Sequence, residues 1–369
     1  MKILATADLH LGMKFSAYSE VQIELSEARY NTLDRLIEKA NEHQCDLFLI
    51  AGDLFERVTL SKKDVIRAVS SLNRFEGKMV GVLPGNHDYC TDAEASIWKT
   101  FKEESGDLIR LLDKPAVYSL AHYDLDCDMY AGPCNEKHSS QNAISWINET
   151  PKNSGASLLI GIAHGSIETY SLDFTEQYFP MKFSELENAG VDFWIIGHTH
   201  VQFPNEQSPA DTIFVPGTPE PDGFDCGHRG TAWIIEVDSD KQVSYQPLTL
   251  GQYYFIEELI EVESDDSIQK IIEKYSAPGY ETALVKLHLS GSLPQEAYEE
   301  VFNIEEALQD KLQYLSVDYN DVVKNISGDT VEREFTKGSF PYELLKKLLN
   351  EGDIAAVQEA YQLIQKVSQ

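Results

Sequence analysis

Five short apolar runs in the chain each stop at side chains able to bind a metal ion. Residues 2–7 lead into Asp8-Leu9-His10, and residues 45–51 into Gly52-Asp53. Residues 80–83 lead through Pro84-Gly85 into Asn86-His87-Asp88. Residues 157–163 lead into His164-Gly165, and 191–196 into Gly197-His198-Thr199-His200. A brief apolar run bounded by Gly or Pro reads as a buried strand. In open α/β sheets, ligands bind outside the carboxyl ends of the strands. The pattern therefore predicts an α/β fold with one polar site on a sheet edge.

The segments between these runs fit that reading. Residues 27–43 put Ala28, Leu33, Leu36, Ile37 and Ala40 on one helical face. Residues 62–75 do the same with Val65, Ile66, Val69 and Leu72. The order is β-α-β, and right-handed crossovers bring the first three strand ends to one edge. Side chains two apart in an extended chain share a side, so Asp8 and His10 are expected to reach one ion. Further strands are expected at 117–120, 128–132, 212–215, 231–237 and 242–248, with a rigid Gly/Pro loop at 216–220.

A chain of 369 residues exceeds what a single core usually supports, which favours more than one domain. The pattern changes near Gly251, so 1–250 is read as the first domain. Residues 251–320 read as a small α/β domain, with strands at 253–262, 283–289 and 315–319 and helices at 265–275 and 294–312. Residues 321–369 read as a polar loop over 321–338, then two amphipathic helices broken at Glu351-Gly352-Asp353.

Composition narrows the function. The net charge is −31, and neutralising a phosphate backbone needs Lys and Arg, so charge alone does not mark a nucleic-acid binder. The densest basic cluster, Arg57, Lys62, Lys63, Arg67, Arg74 and Lys78, reads as a solvated helix face. No apolar run reaches the roughly 18 residues of a membrane span, and the start of the chain lacks a signal-peptide layout. Five widely spaced cysteines without a C-x-x-C fit reduced thiols in a cytoplasmic protein. There is no P-loop, so this chain is not its own ATPase.

Asp8, His10, Asp53, Asn86, His164, His198 and His200 form a donor set of oxygen and imidazole nitrogen without cysteine. Such a set suits a pair of divalent ions such as Mn, Fe or Zn. A carboxylate has two oxygens, which makes Asp53 the natural bridge. One ion would take Asp8, His10, Asp53 and His200, and the other Asp53, Asn86, His164 and His198. Two ions about 3.5–4 Å apart can clamp a phosphoryl oxygen for in-line hydrolysis. His87 beside Asp88 is able to hold or deliver a proton. His43 closes a helix and reads as a surface residue or a partner of the helix C-terminal dipole, and His122, His138 and His288 fall outside the pattern and read as structural. Tyr89 and Phe224 read as walls of the site, and the Cys226-Gly227-His228 loop as a segment that could approach it.

D-L-H, G-D, G-N-H-D, A-H-G and G-H-T-H, in this order over residues 1–240, resemble the motifs of the calcineurin-like metallophosphoesterase superfamily. The resemblance implies a four-layer α/β/β/α sandwich, with two mixed sheets face to face and helices outside. It supports the two-ion division above. It places His87 beside the leaving group as a general acid, with Asp88 orienting the His87 ring.

A narrower resemblance rests on D-L-H-L-G at 8–12, G-D-L-F-E at 52–56 and P-G-T-P-E-P-D-G-F at 216–224. These are similar to the SbcD and YhaO-like DNA repair exonucleases, with Glu56 where that family usually has Asp. The resemblance implies a manganese-dependent DNA exo- and endonuclease subunit of a double-strand-break repair complex. It also implies a homodimer formed through the phosphoesterase domain, a capping domain over 251–320, and terminal helices gripping the coiled coil of an ABC-type ATPase. Two other readings stand beside it: a phosphodiesterase or phosphatase for small substrates such as cyclic nucleotides, and a non-enzymatic scaffold.

Overall fold

A computed structural model describes residues 1–90, 97–148, 150, 155–171, 173, 175–205 and 212–368. The chain divides into two compact units, Met1–Phe255 and Ile256–Gln369.

The first unit opens with β1 (Lys2–Thr6), α1 (Gln22–Glu42), β2 (Leu47–Ala51), α2 (Lys62–Leu72) and β3 (Met79–Leu83). α3 (Ile97–Glu104), β4 (Ile109–Leu111), β5 (Ala116–Ser119), β6 (Cys127–Gly132), β7 (Leu158–His164) and β8 (Phe193–Gly197) follow. β9 (Ile213–Phe214), β10 (Thr231–Val237) and β11 (Val243–Thr249) complete it. One sheet has the order β11-β10-β1-β2-β3-β4, and the other β5-β6-β7-β8-β9. Both are mixed. β1, β2, β3 and β4 run parallel with β10 antiparallel to β1, while β6, β7, β8 and β9 run parallel with β5 antiparallel to β6.

Strand alternation builds four layers. Every residue of β2 is buried, because each of its faces has a partner. Phe48 and Ile50 pack with Leu33, Leu36 and Ile37 of α1, Val65 and Val69 of α2, and Trp98 and Phe101 of α3. Leu47, Leu49 and Ala51 turn the other way and meet Met129, Ile160, Ile162 and Ile195 of the second sheet. Tyr130, Ala163, Trp194 and Ile196 line that sheet's far face together with Ile144 and with Ile147 and Leu186 from two short helices, Ser145–Asn148 and Phe183–Asn188. The α/β/β/α order implied by the motifs is therefore the observed one. α2 starts where Ser61 accepts the amide hydrogen of Asp64 at 3.2 Å, an N-cap of the usual kind.

A three-stranded sheet follows, made of β12 (Tyr254–Glu261), whose first two residues end the first unit, β13 (Ala283–Leu293) and β14 (Tyr314–Lys324), with β13 and β14 parallel. The expected helix over 294–312 is broken into Gln295–Glu300, a 3₁₀ turn at Val301–Asn303, and Ile304–Leu308. Ala297, Val301, Ile304 and Leu308 are all buried, so the 3₁₀ turn tightens the path without turning the apolar face away. The polar stretch 321–338 is not simply a loop. β14 runs on to Lys324, and a helix forms at Gly328–Glu334 where Ser327 accepts from the amide of Thr330. Composition hid this helix, because its apolar contribution is little more than Val331, buried with Ile326. The terminal helices, Phe340–Glu351 and Ile354–Ser368, meet at Gly352 in the left-handed conformation (φ 72°). Tyr342, Leu345 and Val357 join Ile326 and Val331 in a small core of their own. Among the described residues, no helix is long and apolar enough to cross a membrane.

The layer between the two sheets should dominate the stability of the first unit. Leu49→Ala removes a fully buried side chain from it. A loss of about 2–5 kcal/mol is expected from urea unfolding, and a loss well below 1 kcal/mol would mean that the two sheets are not packed face to face.

Candidate metal centre

The carboxyl ends of β1, β2, β3, β7 and β8 meet, and the residues there include all seven expected metal ligands. Asp8, His10 and His200 place ligand atoms within 4.8 Å of one another, and so do Asp8, Asp53 and His164. Asn86 Oδ1 lies 2.9 Å from His164 Nε2 and 3.3 Å from His198 Nδ1. Both carboxylates are buried, Asp8 at 0% and Asp53 at 2% exposure, so their charge is not met by solvent.

The backbone reaches this arrangement differently from the sequence expectation. β1 ends at Thr6, and Asp8 and His10 are not extended: their φ angles are 54° and 46°. Asp53 (51°) and His198 (101°) also sit at positive φ. Such angles cost side-chain-bearing residues of order 1–3 kcal/mol each and persist only where the surroundings enforce them. Here the Asp8 amide donates to the Gly52 carbonyl at 3.1 Å and the His10 amide to the Asp53 carbonyl at 2.9 Å. The two turns thus hold each other. Gly52 (φ 95°) and Gly197 permit the closeness, since a Cβ on the first would strike the His164 ring and on the second the Ala51 carbonyl.

Hydrogen bonds around the ligands set the direction of each imidazole. His164 Nδ1 donates to the Ala51 carbonyl at 2.9 Å. His10 Nδ1 faces Glu56 Oε2 at 2.9 Å, and His200 Nδ1 faces Asp222 Oδ2 at 3.2 Å. A neutral ring that donates from Nδ1 keeps a lone pair on Nε2. His10 Nε2 and His200 Nε2 then face each other at 3.3 Å, two acceptors in contact. His164 Nε2 faces Asn86 Oδ1 at 2.9 Å and Asp53 Oδ2 at 3.3 Å, again acceptors only. Lone pairs and carboxylates aimed at one spot require a cation among them, and imidazoles anchored through the far nitrogen are the usual way of presenting a metal ligand. The residues present fit binding of a divalent metal.

Without a metal, protons take that place. Burial opposes charge on His164, but the adjacent Asp53 carboxylate outweighs it and pushes the ring up to about 9. Burial alone would raise Asp53 too, yet His164 and His10 hold it well below the usual carboxylate range. Burial also opposes charge on His200, and its hydrogen bond to Asp222 raises it well above the ordinary histidine value. Burial and the neighbouring His164 push His198 down to about 3.

His87 stands beside this set with its side chain 32% exposed. Its amide donates to Asp53 Oδ1 at 2.8 Å, and its ring Nδ1 lies 3.1 Å from the Glu56 carbonyl oxygen. Asp88 does not orient that ring, contrary to the expectation above. Both of its oxygens are taken by backbone amides, Oδ1 by Gly85 at 2.7 Å and Oδ2 by Phe55 at 2.9 Å. The carboxyl is fully buried, and burial pushes its pKa up to about 8. Asp88 fastens the 85–88 turn to the turn after β2, and the Glu56 carbonyl is the partner of the His87 ring.

Sequence reasoning missed Asp222 as the partner of His200. Its signal in the sequence is an acid inside the rigid P-G-T-P-E-P-D-G-F stretch at 216–224. The Cys226–His228 segment does approach the centre: Cys226 Sγ donates to Asp222 Oδ1 at 3.1 Å, and His228 Nε2 to the His200 carbonyl at 2.8 Å. Phe224 packs on Phe255 with ring centroids 5.2 Å apart. His288 pairs with Glu257 at 2.9 Å, away from these ligands in sequence and in a different unit. The basic cluster is largely neutralised, with Arg67 on Glu27, Arg74 on Asp34, Lys62 on Glu104 and Lys78 on Asp46.

Residues 1–202 match the family model described as Calcineurin-like phosphoesterase. The chain is 24% identical over 278 residues to the DNA double-strand break repair protein Mre11 of Methanopyrus kandleri, covering 67% of this chain and 56% of that protein. It is 22% identical over 257 residues to the uncharacterized metallophosphoesterase YhaO of Bacillus subtilis, covering 67% and 60%. It is 34% identical over 129 residues to the D component of the nuclease SbcCD of Escherichia coli K12, covering 33% and 28%. The chain thus spans less than two thirds of the length of the curated relatives it matches first.

Two outcomes follow from the geometry. A metal must displace the His164 proton, so uptake should release protons at neutral pH and tighten as pH rises towards about 9. Calorimetry in two buffers of different ionisation enthalpy reads this directly, and uptake without proton release would contradict the arrangement. Gly52→Ala should abolish or severely weaken metal uptake, measured as metal retained after gel filtration, because the new methyl displaces the His164 ring.

Proposed function

The chain belongs to the calcineurin-like phosphoesterase family, and on that premise we propose that it is a dinuclear, manganese-dependent phosphodiesterase acting on DNA as the nuclease subunit of a repair complex. The observation that carries the reading is the convergence of seven N and O donors, in which Nε2 of His10, His164 and His200 faces other acceptors. Two relatives, a DNA double-strand break repair protein and a component of a nuclease, support DNA as the substrate class.

Bound divalent ions would supply Lewis acidity to a phosphoryl group and make water nucleophilic at neutral pH. The chain's own residues do the rest. Asp8, His10, Asp53 and His200 would hold one ion, and Asp53, Asn86, His164 and His198 the other. His87 is the general acid for the leaving oxygen. With Nδ1 on the Glu56 carbonyl, its Nε2 is the nitrogen left to give and take a proton. Asp88 keeps His87 in place through the turn backbone rather than through the ring. Residues 251–320 are the capping domain of this reading. The helices at Phe340–Glu351 and Ile354–Ser368 are the docking element for an ABC-type coiled-coil ATPase, and the phosphoesterase domain forms a homodimer in the cytoplasm.

One observation favours a second reading, a phosphodiesterase for small substrates. The net charge is −31, and much of the best basic cluster is held in ion pairs, so this surface offers little to a DNA backbone. DNA binding would then depend on the metal pair and on the partner's surface.

Assays with Mn²⁺ on linear duplex and hairpin DNA, with and without the ATPase, separate the two. Hydrolysis of bis-p-nitrophenyl phosphate with DNA left intact in every arrangement would exclude the nuclease reading. His87→Ala should lower turnover by about 10²–10⁴-fold while metal content stays at the wild-type level. Full activity in that variant would remove His87 from the acid role.

A further inference from the structure

We infer that Asp222 is a positioning residue for the metal centre, aiming His200 at the first ion, with Arg29 holding Asp222 in place. This rests on the metal-dependent reading above.

The loop that carries Asp222 is tied to two ligand-bearing turns at once. Thr218 Oγ1 donates to the Asp8 carbonyl at 2.9 Å, and the Thr218 amide donates to the His200 carbonyl at 3.1 Å. From that footing the Asp222 carboxylate spans the His200 ring, with Oδ2 at 3.2 Å and Oδ1 at 3.4 Å from Nδ1. A carboxylate at this nitrogen fixes the tautomer, fixes the ring plane and makes the opposite nitrogen a better donor.

Arg29 completes the device. Its side chain is fully buried, with Nη2 3.5 Å from Asp222 Oδ2 and Nη1 donating to the Leu9 carbonyl at 2.7 Å. Leu9 lies between the ligands Asp8 and His10. One guanidinium therefore joins the β1 turn to the carboxylate that orients His200. Cys226 Sγ donates to Asp222 Oδ1 at 3.1 Å and limits its rotation from the other side.

Glu220, two residues earlier, provides the contrast. It is equally buried, at 2% exposure, but it accepts from Thr32 Oγ1 and from the amides of Gln252 and Tyr253. It fastens the loop without touching a ligand in any of these contacts. A structural carboxylate and a positioning carboxylate thus sit on the same loop.

The test measures Mn²⁺ binding by calorimetry, and thermal unfolding of the metal-free protein, for the full chain and for Asp222→Asn, Asp222→Ala and Glu220→Gln. Wild type should take up two equivalents. Asp222→Ala should lose about 10–100-fold in affinity for one equivalent while the other keeps its wild-type affinity. Asp222→Asn keeps the volume and one acceptor, so it should fold normally and lose less. Glu220→Gln should lower the melting temperature and leave both affinities unchanged. Wild-type affinities in both Asp222 variants would overturn the inference. So would loss of both equivalents with the same drop in melting temperature as Glu220→Gln. Wild type that binds no metal would overturn the metal reading itself, and with it this role for Asp222.

Discussion

The first unit is organised around acceptors that face acceptors. His10 and His200 turn Nε2 towards each other at 3.3 Å, and His164 turns Nε2 towards an amide oxygen and the Asp53 carboxylate. A buried charge without a partner costs several kcal/mol, and no reorientation of these side chains relieves it, because their far nitrogens are already engaged. Positive charge has to enter, as protons or as metal. The strained turns, the glycines and the close approach of the two sheets all serve to keep these groups aimed at one place.

Support for that aim comes from outside the ligand set. The Ala51 carbonyl, Glu56 and Asp222 each take one Nδ1, so three histidines are oriented by three different acceptors. Asp88 acts on backbone alone, accepting from Gly85 and Phe55 and so joining the turns after β3 and β2. Four of the seven proposed ligands, Asp8, His10, Asp53 and His198, sit at positive φ in the turns after β1, β2 and β8. A cooperative frame of this kind resists local relaxation, since moving one turn breaks the hydrogen bonds of the next.

The charge of the chain sets a boundary on what reaches the site. A net −31 repels polyanions at long range, and Lys62, Arg67 and Arg74 of the α2 region pair with Glu104, Glu27 and Asp34. Screening at physiological salt, with a Debye length of about 8 Å, weakens the distant repulsion more than it weakens the contacts inside the centre.

Much of this was legible from residue order. The five apolar runs gave their strands, and the ligand types at their ends marked the edge where a site would form, because burial on both faces and polar termination are local properties of a sequence. The caps of 321–338 and the break in 294–312 were not legible, since they depend on a few buried residues such as Val331 and Val301 and not on composition. Nor was the geometry of Asp8 and His10. Alternation predicted a shared side in extended chain, whereas pairing with the β2 turn holds both residues at positive φ. The partners of the imidazoles were decided only in three dimensions: Asp222 is 22 residues from His200 and Ala51 is 113 from His164. Residue types fix which chemistry is available. Which nitrogen points inward is set by hydrogen bonds from distant parts of the chain, and only the packed sheets bring those parts together.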